Sequence, residues 1–296
     1  MIDYPSARAV ALVVETGSFE RAARVLSITP SAVSQRVRQL EERLGAVLIE
    51  RGVPCRATEK GAWLCRHVEQ VGLLEQDLLR HLPGLAEVAG QRVTLNIATN
   101  ADSLGTWFLP AVAPFIAETG YLLNIGIDDQ DHTADWLRSG RVLAAGTGLE
   151  TPVQGCRIQR LGSLRYHATA SPVFIARHFP HGVTAAAMAD APALTYDQKD
   201  RLQHRWLETQ LGQGAVSPTH WMPSTQGFVD ATLAGMGWAL NPAALVAQSL
   251  DDGRLVELIP GAVLDVPLYW QVNRLASERL APLTRSIVAA ARRSLV

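Results

Sequence analysis

Residues 18–43, SFERAARVLSITPSAVSQRVRQLEER, read as two helices joined by a short turn. Phe19, Ala22, Ala23 and Leu26 recur at helical spacing and mark the buried face of the first helix. Ser27-Ile28-Thr29 is the turn. Thr29 offers a side-chain oxygen at a helix N-cap, and Pro30 fits the first helical position, where no backbone donor is needed. The second helix turns Ala32, Val33, Val37 and Leu40 inward and Ser31, Ser34, Gln35, Arg38 and Gln39 outward. Short hydrogen-bonding side chains and an arginine on an exposed helix suit base edges and phosphates in a major groove. The same face would also serve as the solvated surface of an ordinary helical pair, so the flanks decide between the two.

Upstream, Tyr4 to Thr16 predicts a helix with Ala7, Val10, Ala11 and Val14 on one side, ended by Gly17. Downstream of Leu44-Gly45, residues 46–58 look like a two-stranded wing. Val47, Leu48 and Ile49 suit a short strand, and Gly52 to Pro54 suit its turn. Arg51 and Arg56 lie in or beside that wing, within reach of backbone phosphates. Taken together, AARVLSITPSAVSQRVRQLEERLGAVLIERG (22–52) and ATEKG (57–61) resemble the DNA-binding domain of the LysR-type transcriptional regulators. Paired alanines, S-AVSQ, LE-LG and the closing T-E-G agree with the family pattern at fixed spacing. NADSLGTWFLPAVAPF (100–115), FPHGVT (179–184) and PLYWQ (267–271) are similar to the ArgP/LysG subgroup, so the likeness covers nearly the whole chain. The resemblance implies a regulator that senses lysine or arginine and controls an exporter of basic amino acids. It also implies double-stranded operator or promoter DNA and RNA polymerase as partners, a homodimer or homotetramer, and a cytoplasmic, nucleoid-associated location.

Thr58-Glu59-Lys60-Gly61 opens a long helix to about Leu82. Leu64, Val68, Val71, Leu74, Leu78 and Leu82 recur every three or four residues, the seam of a two-helix coil. The competing reading packs this helix on its own domain. Pro83 and Gly84 break it, and residues 85–91, LAEVAGQ, read as a hinge. From Arg92 strands and helices alternate: strands at 93–98, 122–127 and 142–146, with helices at 102–117 and 133–138 between them, the logic of a parallel sheet. After a strand at 164–170, helices are expected near 172–178, 184–189, 199–211 and 225–236, and strands near 193–196, 216–221 and 238–241. LYWQV (268–272) reads as a strand returning to the first subdomain, and 277–294 as a closing helix. The resemblance implies two lobes, like periplasmic binding proteins, crossing near 162 and 266. The expected architecture is therefore an N-terminal all-α winged helix-turn-helix (1–58), a linker helix and hinge (59–90), and a C-terminal α/β two-lobed effector domain (91–296). Lobe I takes 91–162 and 267–296, and lobe II takes 163–266.

At 296 residues the chain is long enough for two or three domains, and with 48% hydrophobic and 19% charged residues it is globular rather than disordered. No apolar run approaches a membrane span, and MIDYPSARAV lacks the basic-then-apolar layout of a signal peptide, so no membrane partner is expected. Cys55, Cys65 and Cys156 form neither a disulfide framework nor a zinc pattern and read as reduced and structural. The net charge of −1 argues against a general nucleic-acid binder, but residues 1–66 hold ten basic against seven acidic residues. Residues 67–89 are acidic, and only the N-terminal segment is basic, as expected if it alone meets phosphates.

Ligands of such folds sit outside the carboxyl ends of strands, between lobes. Asn100 and Ser103 follow the first strand where a helix opens, and their donors would hold a carboxylate. Asp102 there reads as a helix cap. Asp128 follows the second strand, Asp197 follows ALTY in the second lobe, and Ser224-Thr225 opens a helix there. A basic amino acid needs acceptors for its ammonium and distal cation, which gives cleft carboxylates a purpose. Gly146 to Glu150 sits where loops of the family vary, so ligand preference there is free to differ. Asp128-Asp129-Gln130-Asp131-His132 does not make a metal site, because consecutive residues on a strand end alternate faces. There is no Gly-rich phosphate loop, no GxSxG and no HExxH, and the histidines are dispersed, so neither an enzyme nor a cofactor is expected. Two other readings stand beside the main one: a regulator of the same family with another effector, and a low-specificity architectural or replication-origin DNA binder.

Overall fold

The structure is a computed structural model and describes residues 2–81, 93–130 and 132–296. Leu82, Pro83, Gly84, the hinge at 85–91 and Asp131 lie outside the described residues. The chain forms two compact units. One comprises 1–96 with 120–124 and 138–143, and the other comprises 97–119, 125–137 and 144–296.

In the first unit, α1 (Tyr4–Thr16), α2 (Phe19–Leu26) and α3 (Pro30–Leu44) follow the apolar periodicity. Each start is capped by a side chain: Asp3 accepts from Ser6 N, Ser18 from Arg21 N, and Thr29 from Ala32 N. α1 and α3 end on Gly17 and Gly45 in the left-handed region, while α2 ends on Ser27, a non-glycine residue at φ 54°. The core gathers Ala7, Val10, Val13, Ala22, Ala23, Val33, Val37 and Leu40. Burying each such side chain is worth roughly 1–3 kcal/mol. The wing is shorter than its sequence suggests: β1 (Ile49–Glu50) pairs antiparallel with β2 (Arg56–Ala57). Val47 stays exposed, while Leu48 and Ile49 enter the core and give their amides to the Glu41 carboxylate at 2.8 and 3.3 Å.

α4 (Glu59–His81) passes so close to the wing that a Cβ on Gly61 would meet the Leu48 carbonyl. Leu64 and Val68, read from sequence as the start of an intermolecular seam, pack against the core of their own domain. Leu74 and Leu78 stand exposed. The stripe therefore divides: Leu64 and Val68 close the domain, and Leu74 and Leu78 face outward.

Beyond α4 the chain is built chiefly on one mixed sheet rather than a parallel one. Its strands are β3 (Thr94–Thr99), β4 (Leu122–Ile127), β5 (Ala144–Thr147), β6 (Cys156–Ala170), β9 (Ala239–Pro242), β10 (Val256–Glu257) and β11 (Val263–Asn273). β3 and β5 run parallel, as expected, but β11 inserts antiparallel between β5 and β6. β6 and β11 are about twice as long as LRYHATA and LYWQV suggest. At the expected crossings near 162 and 266 the two long strands pair, with a bulge opposite Leu268/Tyr269. Gly162 sits there at φ 134°, and a Cβ would touch the backbone of Val296.

Between β3 and β4 one helical run holds α5 (Ala101–Ser103), a π-helical turn (Leu104–Phe108) and α6 (Leu109–Thr119). α7 (Thr133–Arg138) joins β4 to β5. The remaining elements are α8 (Pro172–His178), α9 (Ala185–Met188), β7 (Ala193–Thr195), α10 (Leu202–Leu211), β8 (Thr219–Trp221), α11 (Thr225–Leu233), α12 (Ala243–Asp251) and α13 (Ala281–Ser294). α12 and β10 are absent from the sequence expectation. α12 follows Pro242 with no capping side chain, so it carries no start signal. Buried Gln271, from PLYWQ, braces the loop after β5: its Oε1 accepts from Val153 N, and its Nε2 donates to the carbonyls of Leu149 and Thr151.

Candidate functional site

Strand ends of the second unit surround an open recess. Asn100 to Asp102 come from the turn after β3, and Ile127 to Gln130 from the end of β4. Tyr196, Asp197 and Asp200 come from the loop after β7, Leu202 and Gln203 from α10, Phe228 from α11 and Leu240 from β9. Five aspartates line it (Asp102, Asp128, Asp129, Asp197 and Asp200), and its described lining holds no basic residue. That imbalance is the dominant property of the site. Such a cleft concentrates cations and disfavours anions.

The carboxylates differ in their surroundings. Asp128 Oδ2 accepts from Trp136 Nε1 at 3.0 Å, and Oδ1 accepts from Asp129 N at 3.0 Å and from Lys199 Nζ at 3.4 Å. Partial burial alone would raise its pKa; the indole, the amide and the nearby ammonium outweigh it and hold the carboxyl below the usual range. Asp102 Oδ2 accepts from Tyr166 Oη at 2.7 Å, and Oδ1 accepts from Thr225 Oγ1 at 2.6 Å. Loss of water pushes its pKa up despite those two donors. Asp200 is likewise raised by burial, against the amides of Leu202 and Tyr196. Asp197 Oδ1 accepts from Lys199 N at 2.7 Å and Asp200 N at 3.1 Å, which fixes the loop that carries all three.

Of the six residues expected from sequence, Asn100, Asp128 and Asp197 line the recess. The other three lie beside it. Ser103 is buried, with its Oγ lacking a partner among the described residues. Thr225 is committed to Asp102. Ser224 is exposed and caps α11 through Gly227 N. Asn100 is itself half spent: its Oδ1 caps Ser103 N and its Nδ2 donates to Gln130 Oε1. The variable stretch from Gly146 to Glu150 contributes nothing to the lining. Asp102 reads from sequence as a helix cap; in the structure it is Asn100 that caps, and Asp102 reaches across to lobe residues Tyr166 and Thr225. Asp200 and Tyr196 had no signal beyond their nearness to Asp197.

A second surface lies on the first unit. Ser31, Gln35 and Arg38 are exposed along α3, and Ser34 is half-buried. Ser31 Oγ lies 2.9 Å from Thr29 Oγ1, at the helix start. Arg51 is exposed beside the wing with its guanidinium 5.2 Å from the Phe19 ring centre, and Arg56 is exposed on β2. One helix and one wing thus carry all six residues expected to meet DNA.

Comparison with known proteins follows the same division. Residues 6–62 match the bacterial regulatory helix-turn-helix protein, lysR family, and residues 89–295 match the LysR substrate binding domain. The chain is 47% identical to the HTH-type transcriptional regulator ArgP of Pseudomonas aeruginosa over 296 residues, covering all of this chain and 98% of that one. The crystal structure of ArgP from Mycobacterium tuberculosis is similar with a TM-score of 0.80 at 42% identity, over 100% of this chain and 99% of the other. Full-length LysG from Corynebacterium glutamicum with bound effector Arg gives a TM-score of 0.68 at 35% identity, covering 99% of both chains.

Proposed function

The chain belongs to the LysR family of bacterial transcriptional regulators, of the ArgP/LysG type, and we propose that its effector is lysine or arginine, bound in the aspartate-lined recess. The convergence of five carboxylates carries this reading. A basic amino acid brings two cations, and Asp128, kept ionised by its donors, suits one of them. Asp197, on the facing loop, suits the other. Asn100 and Ser103 offer donors for the ligand's carboxylate near the start of the helical run, and Ser224 and Thr225 stand opposite. The arginine bound in the Corynebacterium protein supports the same ligand class.

In this reading α3 enters the major groove through Ser31, Ser34, Gln35 and Arg38, and Arg51 and Arg56 hold the backbone. Residues 1–58, 59–90 and 91–296 act as reader, dimerising linker and sensor, the sensor dividing into lobes at 162/163 and 266/267. The exposed Leu74 and Leu78 support a partner for α4, which a second copy would supply in a homodimer or a dimer of dimers. Among the described residues no helix is long and apolar enough to cross a membrane. A cytoplasmic, nucleoid-associated protein that contacts RNA polymerase and controls a basic-amino-acid exporter gene completes the proposal. Calorimetry of the full chain with lysine, arginine and neutral amino acids tests the effector. Heat with the two basic ones alone is expected, and no heat with either overturns the assignment. Footprinting should give a defined palindromic site rather than diffuse protection.

A further inference from the structure

The side chain that meets Asp128 at the rim of the recess is Lys199, from the loop after β7. Its Nζ lies 3.4 Å from Asp128 Oδ1, and its own backbone amide is anchored on Asp197. We propose that Lys199 is a tethered stand-in for the effector's cation. Its ammonium lies beside Asp128, where the ligand's cationic end is to go, so binding is an exchange of one cation for another. This inference rests on the basic-amino-acid reading of the recess.

Three observations carry it. First, the root of Lys199 is fixed while its end is loose. The Asp197 turn holds the backbone, yet the side chain is 54% exposed and makes a single long polar contact among the described residues. A pair of that kind is worth little, so it balances charge without locking the site. Second, Asp128 is built to remain an anion with or without Lys199, because Trp136 and the Asp129 amide also donate to it. An anion in a recess lined by four further aspartates is left unbalanced when empty, and a tethered ammonium offsets that. Third, the chain uses arginine for 25 of its 27 basic residues, and the only lysines are Lys60 and Lys199. Arginine beside Asp128 would form a flat, two-pronged clamp that a ligand must break. Lysine is a hydrated point charge on a flexible stem and leaves easily. A neutral amino acid brings one ammonium where a basic one brings two, so the exchange also favours ligands with a cationic side chain.

The two substitutions at this position should move affinity in opposite directions. Calorimetry with arginine and with lysine on the full chain is expected to show Lys199→Met binding roughly two- to fivefold tighter. Lys199→Arg should bind more weakly. Weaker binding by Lys199→Met would make Lys199 a partner of the ligand's carboxylate and overturn the proposal. Equal affinities in both variants would also overturn it, while leaving the effector reading intact. If the unmodified protein binds neither amino acid, the effector reading falls and the exchange falls with it. The pairing itself is tested without ligand. Reductive methylation with carbon-13 labels two lysine side chains, and Lys199→Arg identifies which signal is Lys199. Asp128→Asn should move that signal and leave that of Lys60 in place; an unmoved signal overturns the pairing. Added arginine should then shift the Lys199 signal in the otherwise unmodified protein, and a signal indifferent to saturating arginine overturns the exchange.

Discussion

Asp128 and Asp102 show how the same residue type takes different roles in one recess. Asp128 is held ionised by an indole, an amide and an ammonium, whereas Asp102 sits where water is scarce and two hydroxyls donate to it. Asp128→Asn keeps the shape and one acceptor oxygen but removes the charge. It should fold, bind operator as before, and lose affinity for lysine and arginine by about 1.5–3 kcal/mol, the range for a hydrogen bond to a charged group. Calorimetry reads this directly, and unchanged affinity in both Asp128→Asn and Asp197→Asn would remove the recess as the site. Asp128 was legible in the sequence because it follows a strand of plain alternation, and strand ends are where ligands bind. Asp102 and Asp200 were not legible in the same way. Their importance comes from Tyr166 and Thr225, or from burial, and those partners are 64 and 123 residues distant in the case of Asp102. No local spacing encodes such contacts.

Elements with strong local signals are found where the sequence puts them. α1, α2 and α3 carry caps, apolar periodicity and stop residues that agree with one another, and their bounds follow. What failed were features set by distant partners: the antiparallel insertion of β11, the length of β6, and the split of the α4 stripe at Val68. For α3, the exposed face makes a direct prediction. Arg38→Ala should cost operator affinity about 1–3 kcal/mol if it reads a base, with relaxed specificity, or flatten the salt dependence if it meets phosphate. Unaltered affinity and unaltered salt slope in a binding titration would remove α3 as the reader. For α4, Glu69 makes another. Its Oε1 accepts from Asn96 N at 3.1 Å and Asn96 Nδ2 at 2.9 Å. Burial pushes its carboxyl up to about 7 from 4.5, although those two donors pull the other way. The folded chain thus keeps a proton that the unfolded chain releases, so stability should fall as pH rises from 4.5 to about 7 and level off above. The loss should be on the order of 1–3 kcal/mol. Glu69→Gln keeps the acceptor and removes the titration. Denaturant midpoints at pH 5 and pH 8 should differ less in that variant than in the unmodified protein, and an identical pH response would show that Glu69 does not titrate in this window.

At the scale of the molecule, a regulator must couple two sites that lie on different units. A recess lined from segments on either side of the β6/β11 pair is suited to this. β5 pairs with the Tyr269–Val272 end of β11, and β9 and β10 pair with the Tyr166–Ala170 end of β6. The residues that line the recess therefore hang from two groups of strands joined through one bulged pair. A ligand that touches both groups binds one arrangement of them better than another, and only that difference in affinity shifts the population. The coupling must also be reciprocal. If arginine changes operator affinity by some factor, operator must change arginine affinity by the same factor. Calorimetry of arginine against the free protein and against the saturated operator complex measures one arm, and operator titration with and without arginine measures the other. A factor of about 5–150 in both, with the same sign, is expected for an effector. Asp128→Asn should reduce the factor toward one while leaving operator affinity in the absence of ligand unchanged. Arginine that binds equally well with and without operator would mean that the recess holds a ligand but does not regulate through it.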